Sequence, residues 1–267
     1  VLSKICHLAI NAACPLPRWL HIVQVILEKG KGPKLGSLRI IQLAEADLNF
    51  VLKVIWSKGL IDNAMTENLL DPAQYALPGK QCVSAVLAKV LFLDICRQTR
   101  ADCGFAETDA KACFDRVIPL LAIVTCRRIG LPSHAAIFMN LLLRQLTFKL
   151  RTAHGMSDTS YSANDDPVNP GNGSGQGLSF SPPLWLSTSD PLLRAMRKAL
   201  PGVNLSHPGL KTLVAWLQIT MFMDDATMYA QQMGVSTNHF EQMKNRHMPT
   251  LPSIIAQLLQ TFNGLLW

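Results

Sequence analysis

Asp224 and Asp225 stand side by side between two apolar flanks, in Met221-Phe222-Met223-Asp224-Asp225-Ala226-Thr227-Met228-Tyr229-Ala230. Two like charges repel, and holding them between hydrophobic segments costs stability unless cations or basic groups neutralise them. The layout predicts a strand, a tight turn and a strand, and the acidic pair at such a turn points to a metal site. Asp165-Asp166 serves as an internal control, because the same dipeptide lies there in a polar loop without apolar flanks. Its carboxylates are expected in solvent.

Three other stretches carry chemical potential. In Asp109-Ala110-Lys111-Ala112-Cys113-Phe114-Asp115 a β-like run ends on a carboxylate and an aromatic follows five residues later. Read alone, Asp109 could equally be the N-cap of the next helix. Gly171-Asn172-Gly173-Ser174-Gly175-Gln176-Gly177 precedes the helix start Ser181-Pro182. It lacks the Lys-Ser/Thr of a P-loop and the spacing of a dinucleotide fingerprint, which excludes both readings. A flexible hairpin tip and a backbone pressed against a nucleotide both remain open. Lys29, Lys31, Lys34 and Arg39 are punctuated by Gly30, Gly32, Pro33 and Gly36. They form either a solvated charged turn or a basic hairpin able to reach phosphates.

These residues need elements to hold them. Residues 37–60 predict a short strand passing into a helix, 81–99 an amphipathic helix, and Phe105–Asp109 a strand. Residues 116–130 and 133–146 read as helices, and 152–177 as a long polar hairpin or loop. Ser181-Pro182 offers a cap and a first-turn proline for a helix through Arg197, with Pro191 as its expected kink. Residues 237–266 close with helical pattern. No internal repeat emerges, and the alternation is that of an α+β domain with few strands and many helices.

Composition narrows the class. The chain has 267 residues, 49% of them hydrophobic and 16% charged, so it must fold around a core and is not a disordered segment. Charges interrupt every apolar run before it reaches the eighteen or so residues of a membrane span. Net charge is +7, and residues 1–100 hold twelve Lys/Arg against seven Asp/Glu, so the first part is the basic part. Seven cysteines without metal-ligand spacing read as reduced core thiols in a reducing, intracellular compartment. Val1 in place of Met and the apolar ending Gly264-Leu265-Leu266-Trp267 read as a piece of something longer.

Taken in order, the aspartate-bearing strand, the Gly-Gln-Gly loop leading into Ser-Pro, and the aromatic-Met-Asp-Asp hairpin resemble the palm of reverse transcriptases. The resemblance covers nearly the whole chain and is greatest to the enzymes of non-LTR retroelements, which also show the Glu-Ala-Asp-Leu-Asn of Glu45–Asn49. It implies an α+β polymerase palm, a small antiparallel sheet backed by helices, with mainly helical fingers. The expected partition is fingers over 1–104, the palm strand and first metal motif over 105–119, helices and a hairpin over 120–170, and the remaining palm over 171–267. It also implies RNA-directed DNA synthesis, with two Mg²⁺ (or Mn²⁺) ions held by Asp109, Asp224 and Asp225 for nucleotidyl transfer to a primer 3′-hydroxyl. Lys34 and Arg39 would hold the triphosphate and Phe114 would stand under the sugar, where its ring selects deoxynucleotides. Gln176 and Gly177 would lie against template and nucleotide. Lys29, Lys31 and Lys80 would contact nucleic acid, Lys80 within the fingers-like Gln74-Tyr75-Ala76-Leu77-Pro78-Gly79-Lys80. Asp115 reads as structural.

The implied partners are an RNA template, a DNA primer and dNTPs, with no membrane. The chain stops about forty residues after Asp225, ahead of the family's next motifs, so the reading is of a palm and fingers without a thumb. The alternatives are a reverse-transcriptase-like domain that only binds nucleic acid, and an RNA-dependent RNA polymerase, which shares the palm and its metals.

Overall fold

A computed structural model describes residues 2–30, 38–99, 102–110, 112–162, 164–165, 173–200, 202–207 and 210–232. In chain order it opens with α1 (Leu2–Asn11), β1 (His21–Glu28) and β2 (Leu38–Leu43). A continuous helical run follows, from α2 (Ala46–Leu52) through a π-helical stretch (Lys53–Ile61) into α3 (Asp62–Thr66). Next come α4 (Cys82–Thr99), β3 (Asp102–Asp109), α5 (Pro119–Arg128), α6 (Ser133–Gln145), β4 (Thr147–Thr152), β5 (Gly155–Met156) and β6 (Tyr161–Ser162). The long helix α7 (Ser181–Ala199) leads to β7 (Val203–His207), β8 (Leu210–Leu217), β9 (Ile219–Phe222) and β10 (Asp225–Gln232). The fold is mixed helix and sheet, with a small sheet backed by helices. Among the described residues no helix is long and apolar enough to cross a membrane.

The chain divides into two compact units, Val1–Leu70 with Ala112–Thr188, and Asp71–Lys111 with Ser189–Trp267. In the first, β1 pairs antiparallel with β2 from Val23↔Leu43 to Glu28↔Leu38 and parallel with β4 from His21↔Thr147 to Val25↔Arg151. The first pairing brings the basic residues Lys29 and Arg39 to one end of a hairpin. Helix α6 turns Ala135, Ala136, Phe138, Met139, Leu142 and Leu143 inward, the three-and-four spacing of a helix with one buried face. Phe138 meets the buried Trp19 edge to face at 6.1 Å, a geometry favoured by the ring quadrupoles.

The second unit is built on the antiparallel sheet β3-β10-β9. Alternation along β10 sends successive side chains to opposite faces. Ala226 and Met228 join Ile219 and Met221 of β9 beneath Leu192, Leu193 and Met196 of α7. Tyr229 goes to the other face and stacks edge-on against Phe92 of α4 at 5.1 Å, beside Cys96. Helix α4 was expected to be amphipathic, yet it buries Phe92 and Cys96 fully while Val83, Val86, Leu87, Val90 and Leu91 are exposed. Only a narrow line of this helix rests on the sheet.

The observed elements follow the sequence pattern closely from β2 to α7, and the α7 helix continues through Pro191. The thiols depart from expectation. Cys6, Cys96, Cys113 and Cys126 are buried, whereas Cys14, Cys82 and Cys103 are exposed and all seven are unbridged. Cys103 is exposed although it lies on the β3 face turned toward α4, beside Cys96. Residues 237–266, expected to be helical, lie outside the described residues.

Candidate active site

The acidic pair sits where β9 turns into β10. Phe222 and Asp225 are cross-strand partners, which leaves Met223 and Asp224 as a two-residue turn. Met223 has φ +56°, in the left-handed region that costs a bulky residue about 1–2 kcal/mol and that such turns usually give to glycine. On its other side β10 pairs with β3 in the register Asp225↔Asp109, Ala226↔Thr108, Thr227↔Glu107. The ladder is prolonged by the Ala110 amide, which donates to the Asp224 carbonyl at 3.3 Å. Asp109 and Asp225, separated by 116 positions, are therefore direct neighbours on one sheet face, with Glu107 two residues away on the same face.

Negative charge gathers at this sheet end. The Asp225 carboxyl is raised above its ordinary value, first by burial and then by the negative charges of Asp224, Asp109 and Glu107. Glu107 is paired with Lys89 of α4. Among the described residues no lysine or arginine forms an ion pair with Asp109, Asp224 or Asp225. Such an oxygen-only, mutually repelling donor set suits a hard divalent cation, so residue chemistry and strand register fit the implied metal. No group of three His, Cys, Asp or Glu side chains is close enough to hold an ion among the described residues. The strands bring the carboxylates to one place, and their side chains do not yet converge.

A second set of predicted residues meets within the other unit. The amides of Gly173 and Ser174 donate to the carbonyls of Val117 and Phe114, each at 2.8 Å, so the glycine loop is tied to the Phe114 segment. Its far side runs against β2, where the Gln42 amide donates to the Gln176 carbonyl at 2.6 Å. Gly175, at φ +71°, lies so close that an added Cβ would be 2.0 Å from Gln42 Oε1. At Gly177, φ +103°, a Cβ would be 2.7 Å from the Gln42 carbonyl oxygen. Residues 173–177 are packed against the Phe114 segment and β2 and do not form a free hairpin tip. Phe114 is half-buried, and Asp115 beside it is raised by burial while Lys29 opposes the shift.

The remaining candidates part company. Arg39 is exposed on β2 and Lys29 is exposed just after β1, while Lys31 and Lys34 lie outside the described residues. Lys80 belongs to the unit of the acidic hairpin, where its ammonium donates to the carbonyls of Pro72 and Gln74 and lies 5.2 Å from the Tyr75 ring centre. That amine is engaged inside the fold. Asp165 is exposed as expected, its carboxylate accepting from the Ser162 amide and hydroxyl at 2.6 and 2.8 Å. Sequence reasoning passed over the role of Gln74, whose buried amide reaches Met223.

Residues 27–248 match the family model described as reverse transcriptase (RNA-dependent DNA polymerase). Among curated proteins, the transposon TX1 uncharacterised 149 kDa protein of Xenopus laevis is 24% identical over 210 residues, covering 75% of this chain. The chain spans 15% of that relative's length. Among solved structures, the telomerase of Candida albicans in complex with a TWJ fragment of telomeric RNA matches over 94% of this chain and 40% of its own, at 12% identity and TM-score 0.50. The corresponding complex from Candida tropicalis matches over 89% and 39%, at 11% identity and TM-score 0.50. At such identities the structural likeness concerns the fold.

Proposed function

Because the chain belongs to the reverse transcriptase (RNA-dependent DNA polymerase) family, we propose that its acidic hairpin is the nucleotidyl-transfer site of a non-LTR retroelement polymerase. The observation that carries this reading is the register Asp109↔Asp225 beside Asp224, three carboxylates without an ion-pair partner among the described residues. Asp109, Asp224 and Asp225 would hold Mg²⁺ or Mn²⁺. When bound, two such ions lower the pKa of the primer 3′-hydroxyl and neutralise charge on the departing pyrophosphate. The residues themselves supply oxygen ligands from two strands, fixed relative to one another by the ladder. Their mutual repulsion keeps the site poised for cations and against any anion arriving alone.

The unit carrying the hairpin would be the centre of the palm and the unit with β1 and β2 would supply fingers residues; the glycine loop and Phe114, expected in the palm, group with the latter unit. Arg39, with Lys34 of the same basic segment, would neutralise the triphosphate, while Lys29 and Lys31 would contact the nucleic-acid backbone. Phe114 would exclude a 2′-hydroxyl, and Gln176 with Gly177 would lie against template and nucleotide. The hydrogen bonds that tie Gly173 and Ser174 to the Phe114 segment support these residues acting as one surface. Lys80 is left out of the nucleic-acid contacts, since its ammonium is held by backbone carbonyls. The substrates on this reading are dNTPs, a DNA primer and an RNA template.

A second reading, a domain that binds nucleic acid without catalysis, draws on the observation that no three acidic side chains converge among the described residues. Deoxynucleotide incorporation on a DNA-primed RNA template with Mg²⁺ or Mn²⁺ separates the two, run beside Asp224→Asn and with ribonucleotides in competition. Metal-dependent incorporation that disappears in Asp224→Asn is the expected result. Folded protein that binds RNA but incorporates nothing overturns catalysis by this chain and leaves the binding domain. Ribonucleotides incorporated as readily as deoxynucleotides would instead identify an RNA-dependent RNA polymerase.

A further inference from the structure

Met223 occupies a backbone conformation that the two-residue turn requires and that its side chain disfavours. A residue that holds it there lies 149 positions away, Gln74. The Gln74 side chain is buried, and its Oε1 accepts from the Met223 amide at 3.1 Å while its Nε2 donates to the Met223 carbonyl at 3.4 Å. Both polar groups of the strained residue are thus held by one planar amide. The same Oε1 accepts from the Ala76 amide at 3.0 Å, which fixes the side chain's own orientation.

The backbone around Gln74 is held as firmly. The Met221 amide donates to the Ala73 carbonyl at 2.9 Å and the Tyr75 amide to the Met221 carbonyl at 2.6 Å, so residues 73–75 add a short parallel pairing to the edge of β9. Upstream, the Ala73 amide donates to Asp71 Oδ1 at 2.9 Å, and Asp71 is gripped by Arg197 at 2.9 and 3.0 Å. The Asp71 amide donates to Asp190 Oδ1 at 2.6 Å. A rigid buried support therefore ends on the turn residue next to Asp224-Asp225.

We propose that Gln74 is a positioning residue that clamps Met223 in its left-handed conformation and thereby sets the direction in which Asp224 and Asp225 present their carboxylates to metal. The inference rests on the reading of the hairpin as the transfer site. Released from the clamp, Met223 relaxes toward ordinary backbone angles, and the two carboxylates that follow it swing with the turn. Glycine at position 223 tolerates the same φ without strain, so it makes the clamp largely dispensable.

The test compares the full chain with Gln74→Leu, Met223→Gly and the double variant, using three readouts. These are hydrogen exchange of the 219–226 amides, Mn²⁺ binding by electron paramagnetic resonance, and kcat and KM for dNTP incorporation. Gln74→Leu is expected to speed exchange at the turn, weaken Mn²⁺ binding about tenfold and lower kcat about tenfold, with KM for dNTP within about twofold. Met223→Gly introduced into Gln74→Leu should recover most of the Mn²⁺ affinity, which a general packing defect at position 74 would not allow. Exchange and Mn²⁺ affinity within about twofold of the parent, or a loss that Met223→Gly leaves untouched, overturns the proposal. If Gln74→Leu fails to fold, Gln74→Asn, whose shorter amide cannot reach both Met223 atoms, takes its place under the same criteria. A parent chain without incorporation removes the polymerase reading alone, since exchange and Mn²⁺ binding still decide the clamp.

Discussion

Within one unit of the molecule, two groups of aspartates meet opposite fates. Asp71 and Asp190 have side chains 5% and 3% exposed, and each has an arginine partner, Arg197 at 2.9 Å and Arg194 at 2.8 Å. Backbone amides of Ala73 and Asp71 also donate to these carboxylates, to Asp71 Oδ1 and Asp190 Oδ1. Asp109, Asp224 and Asp225 stand at the open end of the three-stranded sheet, repel one another and have no such partners among the described residues. Residue type is the same in both places. One group closes its electrostatics inside the protein and serves the fold; the other leaves them open for something that arrives. Depth of burial alone would have pointed to the wrong pair.

Substitution should separate the two groups. The largest effect is expected from Asp224→Asn, which should lower metal-dependent incorporation on the order of a thousandfold in a primer-extension assay, with an undiminished melting temperature. A marked loss of stability there would erase the distinction. Asp71→Asn should show the opposite balance, lowering the unfolding free energy in urea by about 3 kcal/mol because Arg197 loses its charged partner, while the folded fraction loses far less activity than Asp224→Asn. Saturating Mg²⁺ sharpens the contrast, since binding to the native state at ten times Kd stabilises by about 1.4 kcal/mol, and a thermal shift should be seen in the parent and vanish in Asp224→Asn.

The smallest effect is a pH slope. Asp225 binds its proton more tightly in the folded than in the unfolded chain, so native protein holds the extra proton between the ordinary and the raised pKa. Stability should therefore fall slightly as pH rises through that window in the presence of a chelator, the effect being muted by solvent screening of an exposed group. Asp225→Asn should flatten the slope, as followed by urea unfolding at successive pH values.

Much of this contrast is legible in the chain. The apolar flanks of Asp224-Asp225 set it apart from Asp165-Asp166, and the positions of α4 to α7 are legible, α6 most plainly because its buried residues recur on one face, whereas strand β4 is not. What escaped is non-local. Strand β1 joins β4 in parallel across 126 positions, and no local pattern specifies such a partner. Glycine at 177 is demanded by the approach of the Gln42 backbone, a residue far away in sequence, and glycine at 175 is favoured by its positive φ. Lys80 reads as a free cation until the carbonyls of Pro72 and Gln74 are seen around it. Gln74 left one trace, in that a methionine where a two-residue hairpin favours glycine needs an external holder.

The span between Gln74 and Met223 also orders events in time. During synthesis at about 5–20 residues per second, residues 73–75 exist for roughly 7–30 s before the strand they support has been made. Contacts of such long range close late, after local helices have formed and the entropy of the intervening loop has been overcome. On the proposed reading, cation capture at the hairpin would report this late contact: in refolding experiments Mn²⁺ binding should lag behind the recovery of helical signal.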